Sequence, residues 1–278
     1  MEPISSIAIA GAVGGAAGKF VEKAWDSGEK WIRTFFEDHS EIAQEKATEN
    51  TKEFLEELAQ KVKLLEKSKQ ITKEKIGSAQ DHPDFSASLK KAWLTSAQTE
   101  SKEKHIILAR LVSERLKSEP ESILVLGSKM ACDIISYATV DQLMILGLAV
   151  NFYGVRPDPF PPVGISETDF QEWMNNWVSE RLRLYQKIKF RAIDITHLES
   201  LSCLKVNTFV GRDINEIFGK DNFKYDFEQK KDAELKESMK KIWNGDFQKI
   251  DLTTVGKIIG VSVSDLLTNK TTTFDDWE

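Results

Sequence analysis

The sequence predicts a mainly α-helical protein, and three observations support this prediction. Apolar residues recur at steps of three, four and seven along most of the chain, which is the spacing of one helix face. Helix-starting Ser, Thr or Asp residues precede several of these segments. Strand-like alternation is confined to residues 205–210. We therefore expect a long amphipathic N-terminal helical arm, a helical core, and a C-terminal region with a small amount of strand.

Length and composition limit the classes of protein to consider. The chain has 278 residues, of which 41% are hydrophobic, so it can bury one large core or two modest ones. A net charge of -6 makes nucleic acid an unfavourable partner, because phosphate binding needs clustered Lys and Arg. Cys132 and Cys203 lie in apolar surroundings, which predicts buried free thiols. The N-terminus lacks the basic region of a signal peptide, so we expect a cytoplasmic protein.

The N-terminal run from Ile4 to Gly18 contains no charged residue. It includes two G-x-x-x-G spacings, which permit close helix contact in a membrane, but it is shorter than the roughly 20 residues that span one. Three interpretations follow: a flexible or partner-packed segment, a membrane-touching segment, and a nucleotide-binding loop, although the Walker spacing is absent. The candidate membrane or oligomer contacts are Gly11, Gly14, Gly15 and Gly18.

The middle of the chain divides into predicted helices. Residues 19–76 form an amphipathic pattern that is compatible with coiled-coil pairing. A break at residues 81–84 precedes predicted helices at 85–97, 101–117 and 121–138, the last with Leu124, Met130, Ile134 and Ile135 inside. A strongly apolar segment that ends near Gly154 predicts a buried core helix. We place domain boundaries to give residues 1–80, 81–156 and 157–270, followed by a disordered tail at 271–278.

The C-terminal region begins with a proline-rich loop at residues 157–162. A predicted helix follows Ser166 and carries three large aromatic residues, which either pack beneath the loop or form an exposed patch for a protein partner. These candidate partner contacts are Phe170, Trp173 and Trp177. Further on we predict a helix at 196–204, a strand at 205–210, a helix or exposed insertion at 222–246, and a helix at 252–267.

Three segments of the C-terminal half resemble a winged-helix arrangement: TVDQLMILGLAV, HLESLSCLKV and LTTVGKIIG. The resemblance implies a winged-helix-like element and a nucleic-acid-binding regulator as an alternative function. However, the second segment exposes Glu199 and Ser200, whereas a DNA-reading helix presents Arg, Lys, Asn or Gln to the bases. The element is therefore expected to pack against protein. The nearest basic candidates for the alternative are Lys187, Lys189, Arg191 and Lys205.

The wider chain resembles a set of bacterial helical proteins that includes the abortive-infection alpha group. The same three segments carry this resemblance, together with DFSASLKKAWLTSAQTESKEKHIILARLVSERL, so it covers residues 84–153 and 196–260. It implies a role in phage resistance and transfers no functional residue.

No catalytic motif is apparent in the sequence. The histidines His39, His82, His105 and His197 show no metal-ligand spacing, and the nucleophile, dinucleotide and kinase motifs are absent. We therefore predict no catalytic residue, metal site or cofactor, while an enzyme with a dispersed site stays a third hypothesis. The leading hypothesis is a non-enzymatic bacterial interaction or effector protein that binds a protein partner or itself, with a membrane contact through residues 4–18.

Overall fold

A computed structural model describes residues 15–119, 121–156, 164–209, 211–218, 225–229 and 232–272. Within these ranges the chain forms twelve α-helices and one two-stranded sheet, so the prediction of a mainly α-helical protein is confirmed. The proline-rich loop at 157–162 and residues 273–278 of the predicted tail lie outside the described residues. Internal contacts divide the chain into two compact units, Met1–Val140 and Asp141–Glu278.

The described part of the first unit, residues 15–119 and 121–140, contains six helices. Their bounds are α1 Gly15–Phe36, α2 Glu41–Lys67, α3 Lys73–Asp81, α4 Pro83–Ala97, α5 Lys102–Arg115 and α6 Ile123–Tyr137. The predicted helical pattern over residues 19–76 is therefore divided among three helices. Ser40 and Thr72 mark the starts of α2 and α3, because each side chain accepts a hydrogen bond from a backbone N–H in the first turn.

Helix α2 lies at the centre of the first unit, in contact with α1, α4 and α5, and α6 packs on α4 and α5. The core between these helices includes Phe20, Phe54, Leu58 and Trp93, all nearly inaccessible to solvent. The predicted boundary after residue 80 thus falls inside a packed unit. The amphipathic N-terminal helices are part of its core, because their apolar faces are buried by α4 and α5.

The second unit is built around α7. Its helices and strands are α7 Val140–Tyr153, α8 Glu167–Leu182, α9 Ala192–Ser200, β1 Leu204–Val206, α10 Ile214–Ile217, α11 Ala233–Asn244, β2 Ile250–Leu252 and α12 Thr254–Thr268. Helix α7 is buried on every side from Leu143 to Phe152, apart from the partly accessible Met144. This confirms the prediction of a core helix. The Phe152 ring lies 5.1 Å from the Trp243 ring and 5.9 Å from the Phe247 ring, between centroids.

Strands β1 and β2 pair in antiparallel fashion, with Leu204 opposite Leu252 and Val206 opposite Ile250. They are joined by residues 207–249, which include α10 and α11, and not by a tight hairpin. The Thr253 hydroxyl oxygen accepts a hydrogen bond from the Gly256 N–H at 3.1 Å and so caps α12. A Cβ atom on Gly256 would lie 1.8 Å from the Cys203 carbonyl oxygen. This close approach explains the glycine of the LTTVG segment.

Candidate functional site

The described part of the chain offers no obvious metal or membrane-spanning site. Among those residues no cluster of three His, Cys, Asp or Glu side chains is placed to hold a metal ion. None of the helices found there combines the length and apolar character needed to cross a bilayer. The candidate functional features are therefore surfaces and cavities.

The most distinctive surface is a row of apolar side chains on α6, which we name the α6 stripe. It consists of Ile123, Leu126, Met130 and Tyr137, which are 57%, 49%, 50% and 67% exposed. These are four of the ten large hydrophobic residues that are exposed within the described ranges. Single exposed apolar residues are ordinary on protein surfaces, but several along one helix face indicate a contact site.

The α6 stripe has the spacing of a coiled-coil seam. Its residues follow one another at steps of three, four and seven, which is an a/d pattern in which Asp133, half exposed and paired with Lys91, holds the second d position. The prediction that Met130 lies inside is wrong, whereas Ile134 and Ile135 are buried as predicted. Helix α6 is apolar around most of its circumference, so periodicity alone does not identify the face that is buried.

The opposite face of α6 holds the helix firmly on the first unit. Val125, Ala131 and Ile135 are buried there. The Thr95 hydroxyl donates a hydrogen bond to the Cys132 carbonyl oxygen at 3.2 Å. Because side chains on a fixed helix need little ordering upon binding, the α6 stripe is a preorganised contact surface.

A charged centre at Asp84 joins three helices. Its two carboxylate oxygens accept hydrogen bonds from Lys129 Nζ of α6 at 2.7 Å and from Arg115 Nη2 of α5 at 2.6 Å. The bond from Lys129, reinforced by Arg115, lowers the pKa of the Asp84 carboxyl, against the opposing effect of partial burial. One negative charge is thus shared by two positive charges.

Beside this centre lies a cavity of about 240 Å³, which we name the α3–α5 cavity. Its lining includes Lys75, His82 and Arg115, together with Ser78, Ala79, Phe85, Leu116, Ser118 and Glu119. Lys75 Nζ donates a hydrogen bond to the Lys117 carbonyl oxygen at 2.8 Å. Arg115 Nε is buried and has no hydrogen-bond partner in the described ranges. The walls are therefore rich in hydrogen-bond donors.

The second unit contains a buried polar network centred on Asn151. Its Nδ2, which carries two N–H groups, lies within hydrogen-bonding distance of the Gly147 carbonyl oxygen at 2.7 Å, the Ser264 hydroxyl at 2.9 Å and the Tyr185 hydroxyl at 3.2 Å. Its Oδ1 accepts a hydrogen bond from Arg181 Nη1 at 3.0 Å. Burial lowers the pKa of Arg181 and raises that of Tyr185. Apart from Arg181 Nε, which has no hydrogen-bond partner in the described ranges, these groups bind one another away from solvent. The network therefore ties α7, α8 and α12 together and acts as a structural core.

The structure places only part of the predicted glycine segment. Gly11 and Gly14 lie outside the described residues. Gly15 begins α1 with a φ of 66°, beside the carboxylate of Glu66, and Gly18 is buried within that helix. Residues 15–18 therefore belong to the first unit. In each predicted G-x-x-x-G pair, Gly11 with Gly15 and Gly14 with Gly18, the structure describes only the second glycine.

The predicted aromatic contacts occupy different environments. Phe170 is fully buried, so it belongs to the core and not to a surface. Trp173 and Trp177 are partly exposed. The Arg181 guanidinium lies 4.9 Å from the centroid of the Trp177 ring, which is a cation–π contact.

The predicted basic residues are also divided. Lys187, Lys189 and Lys205 are exposed. Arg191 instead donates two hydrogen bonds at 3.0 Å to the buried carboxylate of Asp194 at the start of α9. Arg191 is therefore committed to holding α9, and it is a poor candidate for phosphate binding.

The sequence analysis did not identify the α6 stripe, the α3–α5 cavity or the Asn151 network. The lone Asn151 in the apolar segment LMILGLAVNFYG was a usable signal, because a polar side chain in a core helix needs buried partners. The cavity had no such signal, since its residues come from three helices.

The fold and these features define a mainly helical protein with an exposed apolar stripe on α6. A protein-family model matches residues 18–227 of the chain. The match covers more than half of the chain, so the chain belongs to this uncharacterised family. No curated protein and no solved structure matches the chain.

Proposed function

We propose that this protein is a non-enzymatic interaction protein that pairs with a second copy of itself through the α6 stripe. The observation that carries the proposal is the row formed by Ile123, Leu126, Met130 and Tyr137, which are half to two-thirds exposed. The resemblance of four segments to proteins of the abortive-infection alpha group suggests bacterial phage defence as the setting.

The spacing of the stripe favours a second copy as the occupant. The positions of Ile123 and Tyr137 lie symmetrically about Met130, seven residues on either side. In an antiparallel pair with a two-fold axis at Met130, Ile123 of each copy faces Tyr137 of the other. A self-complementary surface of this kind is what a two-fold homodimer requires.

The charges beside the stripe support the same arrangement. Lys129 and Asp133 flank Met130, and their side chains are 33% and 48% exposed. In the antiparallel pair, Lys129 of one copy and Asp133 of the other are offset by about two residues, or roughly 3 Å, along the helix axis. Opposite charges of the two copies would therefore lie at nearly the same level beside the seam, in addition to the ion pairs that Lys129 and Asp133 form within each chain with Asp84 and Lys91.

The test is the oligomeric state of the full chain and of Leu126→Glu. We expect the full chain to sediment as a dimer of twice its 31.5 kDa. Leu126→Glu should raise the dimer dissociation constant at least about tenfold, because two unpaired carboxylates would be buried in the seam. Analytical ultracentrifugation over a concentration series gives both values.

Leu64→Glu is the matched control, since Leu64 is 60% exposed on α2, outside the stripe. It should leave the dimer constant unchanged. A full chain that stays monomeric, or equal weakening by both substitutions, would contradict pairing through α6.

The proposed setting has its own test. Bacteria that express the full chain or Leu64→Glu should form fewer phage plaques than cells without the protein, and Leu126→Glu should lose this protection. Dimerisation without any protection would retain the interaction function and reject the role in defence.

A further inference from the structure

We propose that the α3–α5 cavity is a binding site for a small oxyanion, such as a phosphate group, held by Lys75 and Arg115. The inference rests on residues separate from the α6 stripe, so it does not depend on the proposed function.

The positive charge of Arg115 is only partly balanced by the residues around it. Its side chain is 4% exposed, and it shares the single carboxylate of Asp84 with Lys129. Because Asp84 neutralises only part of the nearby positive charge, the desolvation cost of burying the Arg115 guanidinium is not fully offset. An anion in the adjoining cavity would supply the missing negative charge.

A further argument is the number of unused donors. A guanidinium carries five N–H groups; Arg115 Nη2 binds Asp84, while its Nε has no partner within the described ranges. The Lys75 ammonium has three N–H groups, and one donates to the Lys117 carbonyl oxygen. Paired Lys and Arg donors of this kind are the usual protein ligands of phosphate.

His82 adds a third donor to the same wall. Its Nδ1 accepts a hydrogen bond from the Asp84 N–H at 3.3 Å, so the neutral ring carries its proton on Nε2. The acidic group on the lining is Glu119, which lies 3.8 Å from Lys75 Nζ with its side chain 84% exposed. Because an ion pair this exposed is weak, Glu119 would compete poorly with a bound anion for Lys75.

The size of the cavity limits the ligand. Its volume of about 240 Å³ lies below the roughly 300–1,000 Å³ of sites that enclose drug-sized molecules. The cavity therefore has room for a phosphate-sized group.

Isothermal titration with inorganic phosphate at constant ionic strength tests the inference. The full chain should bind one phosphate per chain with a dissociation constant below about 1 mM. Lys75→Gln should weaken binding at least about fivefold, because a charge-assisted hydrogen bond is lost. Lys73→Gln makes the same charge change on an exposed position of α3 outside the cavity lining, and it should bind as the full chain does.

A second variant tests whether phosphate occupies the cavity without changing any charged residue. Ala79→Leu fills part of the cavity and keeps every charged group, so phosphate binding should be lost while the circular dichroism spectrum is unchanged. The inference is overturned if the full chain shows no saturable binding, if Lys73→Gln and Lys75→Gln weaken it equally, or if folded Ala79→Leu binds normally.

Discussion

Asn151 shows how one polar side chain can organise a helical core. Its amide lies within hydrogen-bonding distance, 2.7 to 3.2 Å, of four groups on α7, α8, α12 and the turn after α8. Removing it leaves the buried Arg181 and Ser264 with fewer partners, and burial without partners is costly.

We expect Asn151→Ala to lower the free energy of unfolding by about 3 kcal/mol, measured by urea denaturation followed by circular dichroism. Asn176→Ala, at an exposed position of α8, should change it by less than about 0.5 kcal/mol. A loss for Asn151→Ala no larger than that of the control would show that the network adds no stability.

The two cysteines are also explained at this scale. Cys132 and Cys203 are both buried and unpaired, which confirms the prediction of buried free thiols. Burial raises the pKa of each thiol to about 12. Both residues therefore serve as small apolar side chains at neutral pH.

At the scale of elements, Asp84 determines how α6 is attached. It lies in the first turn of α4 and binds both Arg115 of α5 and Lys129 of α6. This tie at the side of the helix acts together with the buried face of Val125, Ala131 and Ile135 to hold α6 with its stripe outward.

We expect Asp84→Asn to destabilise the first unit by about 3 kcal/mol at pH 7, because Arg115 is left buried without a counter-charge. The pKa of Asp84 in the folded protein lies below the ordinary value of 3.8. Its contribution is therefore fully present above that value and is lost as the pH falls through the lower, folded-state pKa. Denaturation of both proteins from pH 7 to pH 2 should show the difference shrinking below about pH 4.

Asp133→Asn is the control for this series, since Asp133 forms a half-exposed ion pair with Lys91. Such pairs contribute about 0 to 1 kcal/mol. A pH-independent difference between the full chain and Asp84→Asn would contradict the charged contribution of Asp84.

For the whole molecule, the N-terminal segment separates into two parts with different expected roles. Residues 15–18 belong to α1, where Ala17 is fully buried. We therefore expect deletion of residues 2–18 to lower the melting temperature, and deletion of residues 2–14 to leave it within about 2 °C of the full chain.

The shorter deletion is the clean test of the proposed membrane contact. If the uncharged N-terminal run binds membranes, co-sedimentation with liposomes should be lost upon deletion of residues 2–14, while the melting temperature stays the same. Undiminished co-sedimentation of this variant would place any membrane contact elsewhere.

Much of the helical architecture could be predicted from local signals. Helices predicted at 85–97, 101–117 and 121–138 correspond to α4, α5 and α6 within a few residues, because caps such as Ser101 and Ser122 are encoded next to apolar periodicity. Of the predicted strand at 205–210, only Lys205 and Val206 lie in strand β1, Leu204–Val206, and residues 207–209 are not in a strand. Its partner β2 was not predicted, since pairing depends on contacts across 43 intervening residues, 207–249.

The sequence by itself determined which segments are helical and that the two cysteines are buried, because caps, periodicity and apolar composition act over a few residues. Only the tertiary structure decided which face of α6 is exposed. That helix is apolar around most of its circumference, so its packing against α4 and α5 determines which side is buried. The same holds for the Asp84 centre and the α3–α5 cavity. Their side chains come from different helices, and their charges and donors acquire a common environment only when those helices pack.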